Sequence, residues 1–153
     1  MAELTLNDVL DRNTILTNVD ASDKEEVFDV LSQRLYEQKY IDSVEAFKKA
    51  VHDREKEGVT GIGEHIAIPH GRSETVRRNG VAIAVLSHEI EWESLDDTGA
   101  KVVVLLTVGA SGEGSNEHLR MLSLFSRKMA KSEVVTALLQ AETVDDVIAA
   151  FQD

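Results

Sequence analysis

The sequence predicts an α/β (α+β) sandwich, a mixed β-sheet of about five strands covered by helices on both faces, and three observations predict it. Val81 to Leu86 and Val102 to Val108 are near-continuous apolar runs, the pattern of strands buried on both sides. Five other stretches repeat apolar residues at helical spacing, two of them opened by capping signals. Ile66-Ala67-Ile68 is a short, largely β-branched run that stops at the only proline of the chain, Pro69.

In order, Leu4 to Leu10 is mildly apolar around Asn7 and Asp8 and reads as one helical turn, and Thr14-Ile15-Leu16-Thr17 reads as a short strand. Ser22-Asp23-Lys24-Glu25 matches the S-x-x-E capping box; Val27, Phe28, Leu31 and Leu35 then carry a helix to Gln38. Asp42-Ser43-Val44-Glu45 repeats the capping pattern. Phe47, Ala50 and Val51 form the inward stripe of this second helix, which is expected to end near Glu57-Gly58. Arg54 continues that stripe, four residues after Ala50 and three after Val51. Its guanidinium is therefore expected on the core-facing side, at the end nearest the next loop. Either an anion-binding group or an arginine that reaches out to solvent fits that position. His52 lies off the stripe and is expected to face solvent.

The loop Thr60 to Gly71 contains two of the five histidines. Pro69 biases Ile68 toward extended geometry, and Gly71 permits conformations closed to other residues, so His70 is expected on a tight turn at the carboxyl end of a strand. Open α/β sheets place ligands there. An imidazole so held suits nucleophilic or acid–base work, because a reference pKa of about 6.5 leaves a lone pair available at neutral pH. Taken alone, His70 is better explained as a polar turn residue, because functional histidines are a minority of all histidines.

After the loop, Arg72, Arg77 and Arg78 form a local basic segment. Ile90-Glu91-Trp92-Glu93 alternates, and Asp96-Asp97-Thr98-Gly99 is turn chemistry. His88 is expected at a strand end, in a surface role. Gly109 to Ser115 is glycine-rich but lacks G-x-x-x-x-G-K-[ST], so nucleotide binding is not predicted. The next helix is expected from Asn116. His118, Leu122, Phe125 and Met129 form its stripe, which would set His118 in the first turn, beside the positive end of the helix. Val134, Val135, Leu138 and Leu139, then Val144, Val147, Ile148 and Phe151, mark two closing helices.

The chain has 153 residues, with 28 acidic against 16 basic, for a formal charge of −12. This argues against a general nucleic-acid or anionic-membrane surface and admits a basic protein partner. No cysteine is present, so neither a disulfide framework nor a thiol nucleophile is available. The sequence has neither a twenty-residue apolar run nor a basic start followed by an apolar core. One domain over residues 1–153, without membrane insertion and in the cytoplasm, is the expectation.

Asp53-Arg54-Glu55, Thr60-Gly61-Ile62-Gly63, Ile66-Ala67-Ile68-Pro69-His70-Gly71, Trp92-Glu93-Ser94-Leu95-Asp96 and Glu117-His118-Leu119 occur in this order. Together they resemble the enzyme IIA domain of the fructose–mannitol class, from the phosphoenolpyruvate-dependent sugar phosphotransferase system of bacteria. The resemblance covers essentially the whole chain. It implies that His70 accepts a phosphoryl group from the histidine-containing phosphocarrier protein and passes it to a cysteine of enzyme IIB, for fructose-type sugar uptake through the transporter enzyme IIC. It implies that His118 and Arg54 are the second histidine and the arginine of the active site, and that neither metal nor cofactor is needed. One departure is His65, after Glu64, where the family commonly has glycine. A nitrogen-related regulatory enzyme IIA is the nearest rival reading. A metal-dependent hydrolase built on His65, His70 and His118 is the remote one, and H-E-x-x-H is absent.

Overall fold

Successive side chains of a strand point to opposite faces, and the two longest strands use both. Strand β5 (Gly80–Ile90) sends Val81, Ile83 and Val85 into one apolar cluster and Ala82, Ala84 and Leu86 into another. Its antiparallel partner β6 (Ala100–Gly109) divides Val102, Val104 and Leu106 from Val103 and Leu105 in the same way. Two apolar faces require two covering layers. The computed structural model, which describes residues 6–152, has both. Helices α2 (Lys24–Glu37) and α3 (Val44–Glu55) cover one face with Val27, Phe28, Leu31, Leu35, Phe47 and Val51. The other is covered by α1 (Leu6–Val9), α4 (Gly112–Met129), α5 (Ser132–Leu139) and α6 (Val144–Phe151), through residues such as Phe125, Leu138 and Phe151.

Among the described residues the sheet is mixed and has six strands, against about five expected. Its order is β1 (Ile15–Val19), β5, β6, β3 (Ile66–Ala67) and β2 (Gly61–Gly63), with β4 (His70–Ser73) also paired to β6. β1 runs parallel to β5, and β3 and β4 run parallel to β6. The additional strand corrects the placement of His70. β3 and β4 keep one register along β6, with Ile66 opposite Val102, Ala67 opposite Val103 and His70 opposite Leu106. Pro69 interrupts the ladder because it has no N–H, while its carbonyl still accepts from Leu106 N at 3.0 Å. His70 therefore opens a strand after a break, rather than sitting on a turn that ends one.

Three boundaries differ from expectation. The first cap is Asp23, which accepts from Glu26 N at 2.9 Å while Glu26 Oε2 accepts from Ser22 N. The second is Ser43, which accepts from Ala46 N at 3.1 Å. Each box lies one residue later than read, since neighbouring Ser and Asp can both cap. At α4 the shift is larger. Ser111 caps it, accepting from Gly114 N, so the helix starts at Gly112 and takes in the glycine-rich segment. Of the predicted N-terminal turn, Leu4 and Thr5 lie outside the described residues.

Candidate functional site

Strand parity aims His70. Ile66, Ile68 and Leu106 belong to the core on the α4 side and Ala67 to the core on the α3 side, so His70 faces α4 and Gly71 faces α3. Gly71 is needed for close approach rather than for an unusual backbone angle. A Cβ there would lie 2.8 Å from Phe47 Cε1 and 2.8 Å from Val51 Cγ2, so α3 packs directly on this strand. On the other side the His70 and His118 rings lie 4.6 Å apart, tilted by 42°. The sequence pairs these histidines only through the resemblance; the fold brings their rings into contact.

His118 is the seventh residue of α4, so it is not in the first turn as expected, and the helix-end contribution predicted for it does not apply. Its electrostatics come from its surroundings. Burial, followed by the Arg54 charge, lowers its pKa. His118 Nδ1 is buried with no hydrogen-bond partner among the described residues. A buried polar atom left unpaired is costly and calls for an explanation. A partner that arrives with a ligand is one.

Arg54 sits in the last turn of α3, where the stripe predicted it, and its Nη1 donates to Gly58 O at 3.1 Å. It is half-buried, and its charge reaches both histidines. The His70 pKa is lowered to about 4, first by burial, then by His118 and then by Arg54. Both imidazoles are therefore neutral at neutral pH. The three residues predicted for the site thus come together from α3, β4 and α4. The arrangement offers a neutral nitrogen nucleophile, a second imidazole against it and a fixed positive charge. Those are the parts that transfer of an anionic group requires.

The other candidates have structural partners. His65 contacts Glu89, and Glu64 and His65 have φ of 56° and 66° in the β2–β3 turn. Glycine adopts these angles without strain, which is the physical content of the departure at His65. His52 is half-exposed, with Nε2 2.7 Å from Glu25 Oε2, and the exposed His88 lies 3.9 Å from Asp20 Oδ1. Arg72 donates to Ala110 O at 2.8 Å, Arg77 lies 3.4 Å from Asp42, and Arg78 stacks 4.0 Å over the Tyr40 ring. Among the described residues, no group of three or more His, Cys, Asp or Glu side chains could hold a metal. Sequence reasoning missed the buried bond from Trp92 Nε1 to Thr60 Oγ1 at 3.0 Å. It also missed Asn79, which bonds both Gly109 and Gly114. No motif flags a polar residue that acts by joining elements.

The family model described as phosphoenolpyruvate-dependent sugar phosphotransferase system, EIIA 2, matches residues 8–153. The 2-O-alpha-mannosyl-D-glycerate-specific EIIABC component of Escherichia coli is 30% identical over 150 residues, 98% of this chain and 23% of that protein. The chain thus spans under a quarter of that relative's length. A fructose-specific EIIA component from Haloferax volcanii is 37% identical over 112 residues, 71% of each chain. The crystal structure of the nitrogen regulatory protein IIA-Ntr from Neisseria meningitidis superposes with a TM-score of 0.86. It covers 96% of this chain and 99% of its own at 22% identity, a likeness of fold.

Proposed function

This chain belongs to the EIIA 2 family of the phosphoenolpyruvate-dependent sugar phosphotransferase system, and on that footing we propose that it carries a phosphoryl group on His70. The donor is the histidine-containing phosphocarrier protein and the acceptor a cysteine of enzyme IIB, which passes the group on during sugar uptake through enzyme IIC. The observation that carries this reading is the His70–His118 ring pair at 4.6 Å, with the Arg54 charge lowering the pKa of both rings. A lone pair of neutral His70 attacks phosphorus and forms an N–P bond. The donor's N–P bond breaks, and its electron pair returns to the donor imidazole. Charge builds on the phosphoryl oxygens, where Arg54 and His118 are the groups to stabilise it. The N–P bond is labile, so the group moves on instead of being stored.

The unit that does this is residues 1–153. Enzyme IIB as acceptor is supported by the relative named as an EIIABC component, and a fructose-type sugar by the relative named as a fructose-specific EIIA component. The carrier works in the cytoplasm with its donors; among the described residues no helix is long and apolar enough to cross a membrane.

The test is to incubate the protein with phosphoenolpyruvate, enzyme I and the phosphocarrier protein and to follow its mass. Wild type gains an acid-labile phosphate and His70→Ala gains none. No phosphate on wild type, with both donors shown active, ends the reading. Adding enzyme IIB then separates the transport branch from the nitrogen-related one, since only the first requires rapid transfer onward to its cysteine.

A further inference from the structure

Between the strand that carries His70 and the helix that carries His118 runs a chain of polar contacts from neither element. Leu106 pairs with His70 across the ladder, and its neighbour Thr107 pairs with Gly71. Thr107 is buried, and its Oγ1 accepts from Gly80 N at 2.7 Å and donates to Arg78 O at 3.0 Å. The tripeptide Arg78-Asn79-Gly80 is thereby held to the strand beside His70. Asn79, at its centre, reaches forward. Its Oδ1 accepts from Gly109 N at 2.7 Å and its Nδ2 donates to Gly114 O at 2.8 Å. Gly109 ends β6 and Gly114 lies in the first turn of α4. In an α-helix the Gly114 carbonyl accepts from the amide of His118, one turn on. The two glycines leave no slack, because a Cβ on Gly114 would lie 2.5 Å from Gly109 O.

We propose that Asn79 is the positioning residue for phosphoryl transfer: its side-chain amide fixes the start of α4 to the end of β6 and so holds His118 against His70. Asparagine suits the task because it donates and accepts through one planar group. Serine offers one atom for both bonds, and aspartate has no donor. Ser111 caps the helix N–H groups at the same turn, but it rides on α4's own approach and does not tie the helix to the sheet. The placement rests on the carrier reading only for its consequence, the rate of transfer.

The experiment compares wild type with Asn79→Ala, Asn79→Asp and Thr143→Ala. Asn79→Asp keeps the acceptor for Gly109 N and loses the donor to Gly114 O, so it remains informative where the alanine variant does not fold. Thr143→Ala breaks the capping box of α6 and controls for a general loss of stability. Two quantities are read for each: the rate of phosphoryl uptake from the phosphorylated phosphocarrier protein, and the NMR titration midpoints of the His70 and His118 rings without phosphate. Both Asn79 variants are expected to slow uptake by about tenfold or more, the scale of a small misplacement of a reacting group. In both, the His70 midpoint rises from about 4 toward 6.5 as the ring loses its packing against His118. Thr143→Ala lowers the melting temperature and changes neither quantity. Wild-type rates and midpoints in both Asn79 variants overturn the proposal. So does a loss that Thr143→Ala matches at equal melting temperature. If wild type takes up no phosphate while the Asn79 variants still shift the His70 midpoint, the positioning stands and the carrier reading falls.

Discussion

Holding His70 neutral has a cost in acid, and its size follows from the site. The His70 pKa is about 4 in the folded chain and 6.5 for an unperturbed histidine. Between those values the unfolded chain binds a proton that the folded chain does not. Stability is therefore complete above 6.5 and is lost as pH falls toward 4, with no further loss below that from this group. The whole interval corresponds to about 3 kcal/mol at about 1.4 kcal/mol per pH unit. A shift from about pH 7 to about pH 5 crosses roughly half of it, about 2 kcal/mol. The ring is partly open to solvent, and screening reduces the expected loss to about 1–2 kcal/mol. The assay is urea unfolding at both pH values for wild type and His70→Gln, followed by the fluorescence of the single, buried Trp92. Glutamine does not titrate, so His70→Gln should lose about 1–2 kcal/mol less than wild type over the same interval. The other groups held low, His118, Glu93, Asp96 and Asp146, are common to both proteins and cancel. An equal loss in the two proteins would refute the argument, because it would mean that His70 takes up its proton without opposition from the fold.

Arg54→Gln should slow phosphoryl uptake by about tenfold to a hundredfold, the worth of one charge-assisted bond to the transferring group. It should also raise the His70 titration midpoint, because the Arg54 charge helps to hold it down; an unchanged midpoint by NMR counts against the placement of the guanidinium. Gly71→Ala should destabilise the chain by about 1–3 kcal/mol through overpacking against Phe47 and Val51. An unshifted denaturation midpoint would show that α3 does not pack directly on β4.

Elements whose residues declare a period were legible in the sequence, and elements defined by pairing were not. The runs in β5 and β6 and the stripe of α3, extended to Arg54, needed only local spacing, and the structure keeps them. Ile90 and Trp92 are buried and Glu91 and Glu93 exposed, so the alternation there was sound although the strand stops at Ile90. β4 escaped notice because a strand that opens His-Gly-Arg-Ser has no apolar pattern and owes its existence to β6. The start of α4 was misplaced for a related reason. Glycines at 112 and 114 weaken local helix propensity, and tertiary contact between Gly109 and Gly114 outweighs it. Arg72, Arg77 and Arg78 looked alike as a basic segment. Their partners, a carbonyl, a carboxylate and an aromatic ring, are set by the fold.

The two layers of the sandwich divide the chemistry at the site. α3 and α4 lie on opposite faces of the sheet, so Arg54 and His118 would normally be separated by the sheet itself. His70, which opens β4 just after the Pro69 break, lies where both are felt. Parity turns the His70 ring toward His118, and Gly71 on the reverse face lets α3 approach closely enough for Arg54 to bear on the same ring. An alanine at 71 would keep the residues and push α3, with Arg54, away from the strand. The pKa pattern follows from that convergence. Burial by two layers and a charge from the far one keep both imidazoles neutral, and a neutral imidazole is the form that accepts a phosphoryl group. The features that make His70 an uncomfortable place for a proton thus leave its nitrogen lone pair free, as the proposed carrier role requires.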